Sequence, residues 1–316
     1  MEAASIGAGG PQRPRLEAPS KRWGEKAIVG LLAFCGLLSV LTTTGIVIAL
    51  LEPTIGFFQD ISFGEFFSTD WFPTFEPPQF GVLDIVAGTL NVTLWGMLFA
   101  IPIGLGAAIY LSEYATRRVR KTVKPILEIL AGIPTVAIGF FAASFLIPII
   151  QDVWPGDFLG GAEKPFLAIA AGLGIGLLIV PVIASISEDA MSAVPSGLRE
   201  GAYAMGATKA KVATRVVFPA ALSGIVASIV LGISRAVGET MIVLVAAGLV
   251  ASNSLNPGEP HYTMTSYIAA VGKGDIATGS IQYKTIFAVG ATLFVITLLM
   301  NAISIRFVRR YRQVYE

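Results

Sequence analysis

Residues 196–219 read SGLREGAYAMGATKAKVATRVVFP and lie between two long apolar runs. Pro195 ends what precedes them, because proline restricts its predecessor and lacks an amide donor. Ser196 is placed to cap a helix with Leu198, Ala202 and Met205 on one broad face. Gly206 supplies a stop. Thr208 is placed to cap a second helix carrying Lys209, Lys211 and Arg215, and Pro219 marks entry into the next apolar run. The stretch therefore predicts two short helices set at an angle. Such a pair is a lever, since a partner that moves it moves the apolar segments attached at either end.

Those segments are long enough to cross a membrane. Ala27–Leu51, Ile85–Ser112, Ile129–Gln151, Pro165–Ser187 and Thr285–Ile305 hold no charged residue, and Val216–Gly258 holds only Arg235 and Glu239. Each reaches the roughly 20 residues needed to span about 30 Å of hydrocarbon. Lipid offers no partner for an open strand edge, so the spans are expected as helices. The composition agrees: 54% of residues are hydrophobic and 14% charged, against about 25% charged in soluble domains. The expected fold is all-α, a polytopic membrane protein with six transmembrane helices at 27–51, 85–112, 126–151, 165–187, 220–250 and 285–307. The connecting segment 189–219 carries the lever.

Basic residues cluster on one side of this layout. Arg13, Arg15, Lys21, Arg22 and Lys26 precede the first span; Arg117, Arg118, Arg120, Lys121 and Lys124 follow the second. Arg199, Lys209, Lys211 and Arg215 lie in the lever, and Arg306, Arg309, Arg310 and Arg312 follow the sixth span. Lys164, Lys273 and Lys284 fall on the opposite side. The positive-inside rule then predicts cytoplasmic termini. Residues 1–26 read as a disordered cytoplasmic tail and 309–316 as a short cytoplasmic one. The first apolar run lacks a persuasive cleavage site and reads as a retained helix.

The outer segment 52–84 is rich in rings: Phe57, Phe58, Phe63, Phe66, Phe67, Trp71, Phe72, Phe75 and Phe80, interleaved with Glu52, Asp60, Glu65, Asp70 and Glu76. Two expectations fit: a segment lying in the membrane interface, where aromatics are favoured, or a docking surface for an extracytoplasmic protein.

Several chemistries are missing. No phosphate-binding G-x-x-x-x-G-K-[ST] loop occurs; Gly272-Lys273-Gly274 lacks the Ser or Thr. The chain is not its own ATPase, and no cofactor is expected on it. His261 is the one histidine; it leaves no zinc cluster and reads as an ordinary loop residue. Cys35 reads as packing within the first span. A net charge of +1 gives no grip on nucleic acid.

Arg235 and Glu239 stand at i and i+4 near mid-span, so they are expected to share one helix face. Each charge costs about 2.5–3.5 kcal/mol at the centre of a bilayer. One reading is a structural ion pair. The other is an anion pathway, in which the Arg235 fork donates to two oxygens and Glu239 neutralises it when no anion is bound. Gly232 and Gly238 beside them allow close helix approach.

The lever carries a resemblance. Glu200-Gly201-Ala202, three residues, Gly206, nine residues and Val216-Val217-Phe218-Pro219 resemble the "EAA" signature of ABC importer permeases, E-A-A, three residues, G, nine residues, I-x-L-P. Gly201 departs at the second position, as do Val216 and Phe218 at apolar ones; the spacing is intact. Gly232–Thr240 resembles the matching segment of phosphate-specific permeases of the PstC type. So do Gly88–Thr93 with Ile101–Tyr114, and Ala131–Phe140. The resemblance covers roughly residues 27–312. It implies a type I permease whose Glu200, Gly201, Ala202, Gly206 and Pro219 belong to the loop that docks into a groove of a separate ATP-binding subunit. It also implies phosphate import with Arg235 and Glu239 as pathway residues. Ser234, Thr240, Asn91, Thr93 and Thr135 are further pathway candidates, or hydrogen-bonders between helices. The implied partners are a PstA-like permease, two ATP-binding subunits that use ATP and Mg, an extracytoplasmic phosphate-binding protein and membrane lipid. The sister permease, a permease for another oxyanion, and a secondary anion transporter or channel remain alternatives.

Overall fold

The computed structural model describes residues 23–154, 164–274 and 276–311, apart from the side chains of Trp23 and 307–311. The expected tail over 1–22 and the end of the chain after 311 lie outside the described residues. By contact pattern the chain divides into Met1–Ala49 and Leu50–Glu316. Helix α1 runs through both, Trp23–Asp60, so residues 23–26 are helical rather than tail. In the first unit α1 supplies the uncharged run, and Cys35, expected to pack, is exposed.

In the second unit the aromatic segment is a core. Residues 52–60 continue α1 instead of forming a loop. Helix α2 (Phe63–Phe66) follows, with the Ser62 side chain accepting from the Glu65 amide at 3.2 Å. Strands β1 (Trp71–Phe72) and β2 (Gln79–Phe80) pair antiparallel, with Trp71 opposite Phe80. The Asp84 carboxylate, itself buried, accepts from the Asp70 and Trp71 amides at 3.1 and 3.3 Å. Phe57, Phe66, Trp71 and Phe80 are buried with Met264, Tyr267, Val271, Ala288 and Val289. Phe57 meets Phe66 and Phe80 edge-on at 5.4 and 5.6 Å, the favourable arrangement for ring quadrupoles. The expectation of a wholly interfacial or docking segment is corrected accordingly. Its rings divide between a tertiary core and exposed positions at Phe63, Phe67, Phe72 and Phe75.

Gly81 closes this subdomain. A Cβ there would stand 2.0 Å from the Thr69 carbonyl oxygen, which is backbone and cannot turn aside. Gly81→Ala is expected to destabilise this subdomain by about 1–3 kcal/mol. Thermal unfolding of the purified protein in detergent checks this, with Gly64→Ala, where nothing lies within 4 Å, as the silent control.

Helix α3 (Leu83–Ile109) ends in a π-helical turn, Tyr110–Tyr114. Helix α4 (Arg117–Ala131) has no buried residue. Gly132, Ile133 and Pro134 then break the chain, because proline cannot continue the ladder. Helix α5 (Thr135–Phe141), a π-helical turn and α6 (Ile147–Val153) follow. The 19 residues Thr135–Val153 are the apolar span here. The expected third span began too early, since residues 126–131 belong to α4.

Helix α7 (Ala168–Ser192) lies against α3. A Cβ at Gly172 would meet Trp95 Cβ at 2.8 Å, and one at Gly176 would meet the Gly96 carbonyl at 2.8 Å. Small residues at these positions let two membrane helices touch at backbone distance, which is how such helices gain van der Waals contact without a hydrophobic drive between them.

The lever has the expected parts with one change. Helix α8 spans Ser196–Ala204, but Pro195 occupies the cap position and Ser196 is the first helical residue. Gly206 has φ +78°, the left-handed stop that glycine adopts without strain. Thr208 caps α9 (Lys209–Val212), accepting from the Lys211 amide. A π-helical turn and α10 (Phe218–Ala220) lead to a 72° bend before α11 (Leu222–Val237). The expected fifth span over 220–250 is not one helix. It is α11, a break at 238–240 and α12 (Met241–Ala246). Helix α13 (Met264–Gly272) and α14 (Ile281–Tyr311) complete the chain. Among the described residues five helices are long and apolar enough to cross a membrane, and six spans result if the pair bent by 72°, Lys209–Ala220 with Leu222–Val237, counts as one.

Candidate functional site

The break in α11–α12 holds the charged residues. Gly238 caps α11, and Glu239 lies beyond it. The Glu239 carboxylate turns to α12, accepting from the Met241 and Ile242 amides at 3.2 and 3.4 Å. These are amides that a starting helix cannot satisfy itself. The expected Arg235–Glu239 pair on one helix face is therefore corrected: the helix ends between them, and among the described residues no ion pair joins them. Arg235 is half-buried in the last turn of α11. It has no side-chain partner among the described residues. It sits 13 positions into α11, roughly 20 Å along at 1.5 Å per residue.

Buried neighbours hold the break in place. Thr265 of α13 donates to the Glu239 carbonyl at 2.6 Å. Gly139 of α5 lies against α12, where a Cβ would meet Ile242 Cα at 3.2 Å. Gly232 packs on Ile179 and Ile183 of α7, so its expected role in close approach is met; Gly238 instead is exposed. Helix α5, which follows the break at 132–134, and α12, which follows the break at 238–240, thus touch. Irregular backbone at membrane depth is tolerated where it is packed in protein or lines a cavity, and transporters place substrate at such breaks.

The polar candidates separate. Ser234 donates to Asn301 of α14 at 3.1 Å, and Thr240 donates to the Gly238 carbonyl at 3.3 Å. These two lie at the break with Arg235. Thr135 opens α5 directly after its own break. Thr93 is buried on α3. Asn91 is buried and donates to His261 Nε2 at 2.9 Å, which ties α3 to the segment between α12 and α13.

His261 is no ordinary loop residue, as it is fully buried. Its pKa is lowered by burial, with the Asn256 carbonyl and Glu259 opposing. The fold therefore favours the neutral ring. Its contribution to stability is complete above the ordinary value of about 6.5 and is lost as pH falls toward the lowered value. The melting temperature of the purified protein is expected to fall in that window, and His261→Gln, which still offers Asn91 an acceptor, is expected to flatten the fall.

The lever end of the molecule carries an ionic belt that sequence reading passed over. Glu188, fully buried in α7, pairs with Arg120 and Lys124 of α4 and accepts from Ser192 at 2.9 Å. Lys124 also pairs with Asp189. Burial alone would lower the Lys124 pKa, but hydrogen bonds to Asp189 and Glu188 outweigh it and raise the value. Glu200, Gly201, Met205 and Gly206 face outward and Ala202 is half-buried. The apolar side chains Leu198, Tyr203 and Met205 are exposed beside them. The signal for the belt was present as acids directly after an apolar run's end, with basic residues across the second–third loop.

The lever and the bend that follows it lie inside the stretch that a family model matches. The model of binding-protein-dependent transport system inner membrane components matches residues 100–313. The chain belongs to this family. It is 34% identical over 247 residues to the probable ABC transporter permease protein YqgH of Bacillus subtilis, covering 78% of this chain and 77% of that protein. It is 32% identical over 311 residues to the phosphate transport system permease protein PstC of Haemophilus influenzae, covering 93% and 96%. Among solved structures, the fold is similar to a chain of a bacterial alginate ABC transporter in complex with alginate pentasaccharide-bound periplasmic protein, at TM-score 0.61 and 17% identity, covering 92% of this chain and 98% of that one. It is also similar to a chain of the inward-facing MetNI methionine ABC transporter, at TM-score 0.52 and 22% identity, covering 73% and 94%. The protein is a membrane permease subunit of an ABC importer, with an all-α fold and no enzymatic role of its own.

Proposed function

We propose that this permease carries inorganic phosphate into a bacterial or archaeal cell across the cytoplasmic membrane, with both termini on the cytoplasmic side. The observation that carries the reading is a half-buried guanidinium in the last turn of α11, without a side-chain partner among the described residues, in a chain that aligns with PstC relatives over most of its length. A guanidinium donates in parallel to two oxygens of a tetrahedral oxyanion. Ser234 and Thr240 flank it and offer neutral hydroxyls, while Thr135, Asn91 and Thr93 contribute further along the spans. Glu239 shapes the site by starting α12 and leaves the guanidinium to the anion.

A PstA-like permease completes the pathway. Of two ATP-binding subunits in the complex, one docks on the loop formed by Glu200, Gly201, Ala202, Gly206 and Pro219. An extracytoplasmic phosphate-binding protein delivers the anion. ATP favours one arrangement of the ATP-binding subunits over the other, and this differential affinity moves the lever and shifts access at the break.

The test is uptake of radioactive phosphate by proteoliposomes holding the four-subunit complex, ATP inside and the binding protein outside. ATP-dependent uptake resisting a large excess of sulfate is the expected result. Uptake that sulfate abolishes would assign another oxyanion, and uptake without ATP would end the reading. In the same assay Gly206→Ala is expected to weaken coupling, because alanine in the left-handed conformation costs about 1 kcal/mol and displaces α9 from α8.

A further inference from the structure

Arg199 stands beside the docking motif but points the other way. It is the fourth residue of α8, and its side chain is 20% exposed. Its Nε and Nη2 donate to Glu113 Oε1 at 3.2 and 3.0 Å. Glu113 lies in the π-helical turn that ends α3, and its side chain is 5% exposed. The same guanidinium donates from Nη1 to the Val194 carbonyl at 2.5 Å and from Nη2 to the Met191 carbonyl at 2.7 Å. Met191 lies in the last turn of α7 and Val194 just past it. One side chain on the lever thus holds the ends of two spans.

The chemistry suits a rigid strut. Carbonyls at a helix C-terminus lack intrahelical partners and carry partial negative charge, so a cation there is favoured. Charge-assisted bonds to a planar fork fix angle as well as distance. Lysine lacks this geometry, since a point charge cannot hold three acceptors in one plane. A second tie follows on α9, where Lys209 Nζ lies 5.0 Å from the ring centre of Tyr114, in the same turn of α3. Both lever helices are therefore fastened to the end of α3. By contrast Glu200 and Gly201, the next residues, are exposed and leave the outer face of α8 for a partner.

We propose that Arg199, through Glu113 and the C-terminal carbonyls of α7, is the positioning residue that transmits movement of the lever to α3 and α7. Without it the lever follows the ATP-binding subunits while the two spans lag. This rests on the permease reading above, and it assigns to Arg199 the transmission step rather than docking or anion binding.

The experiment measures two rates on the reconstituted four-subunit complex: ATP hydrolysed and substrate taken up, with binding protein present. Arg199→Gln is expected to keep the ATP-binding subunits through size-exclusion chromatography and to keep hydrolysis within about twofold, while uptake per ATP falls about tenfold or more, the scale of losing one charge-assisted contact. Arg199→Lys is expected to fall between, and Glu113→Gln, which leaves both carbonyl bonds intact, to fall less than Arg199→Gln. An unchanged ratio of uptake to hydrolysis in Arg199→Gln overturns the proposal. So does loss of the ATP-binding subunits from that variant, which would make Arg199 part of the docking structure. Should the unaltered complex show no ATP-dependent uptake, the permease's substrate or partners are misassigned. That outcome is read from the unaltered complex alone, before any variant is compared, so the two failures are told apart.

Discussion

Alanine in place of Arg235 is expected to lower ATP-dependent phosphate uptake by about a hundredfold, the equivalent of roughly 2.7 kcal/mol. A charged group inside a span costs at most about 2.5–3.5 kcal/mol on insertion scales, the full figure applying at the bilayer centre. Arg235 carries that cost without a side-chain partner among the described residues, at the end of a helix that stops two residues later. Packing alone would be served by an apolar residue. Removing the guanidinium should therefore leave assembly intact, or improve it, while taking away the main donor to the oxyanion. Arg235→Lys keeps the charge and loses the fork, so a loss of about tenfold is expected. Wild-type uptake by both variants in the proteoliposome assay would remove Arg235 from the pathway. Glu239 gives a contrast. As a cap on α12 its loss to alanine should cost about 1 kcal/mol of stability, and Glu239→Gln, which retains an acceptor oxygen, should transport nearly as the parent does.

Replacing Glu188 by leucine is expected to destabilise the permease by about 2–3 kcal/mol. The carboxylate is fully buried, and both Arg120 and Lys124 bond to it. Removing one partner of a buried pair commonly costs about 3–5 kcal/mol, because the remaining charge is left uncompensated. The lower figure applies here, since the two cations are 37% and 26% exposed and solvent screens them. Lys124 also keeps Asp189. Glu188→Gln preserves size and one acceptor and should cost less. Denaturant titration of the purified protein in detergent measures both. Equal stability of Glu188→Leu and the parent would mean that the belt contributes nothing to holding α4 against α7.

Much of the architecture was legible because it depends on short-range chemistry. Pro195, Gly206, Thr208 and Pro219 each act within one turn of themselves. The lever therefore emerged with its stop and second cap in the predicted places; only the first cap moved by one residue, because Pro195 occupies it. The apolar runs were equally plain, since lipid demands length and neutrality of every span. The breaks were harder to see. Gly132-Ile133-Pro134 held the signal for the first, but Ile129–Gln151 carries no charge and reads as one run. The second, at Gly238–Thr240, falls within an apolar stretch whose hydropathy does not change across it. Its glycine was visible and was assigned to close packing instead.

The pairings across the chain were not legible at all. Nothing local to Glu113 names Arg199, and nothing near Asn91 names His261, because each pair meets only when α3 lies beside elements far along the chain. The aromatic segment shows the same limit. Its rings at Phe57, Phe66, Trp71 and Phe80 differ in no local way from those at Phe63 and Phe75, yet the first group is buried and the second exposed. By itself the sequence determined the helical class, the number and rough extent of the apolar runs, the lever and the presence of two charges within an apolar run. These follow from periodicity, caps and the cost of charge in lipid, each of which acts within a few residues. Only the tertiary structure decided that Arg235 stands apart from Glu239, that Glu188 gathers a belt and that Arg199 joins lever to spans. Those outcomes depend on which helix ends reach one another, and that is a property of packing.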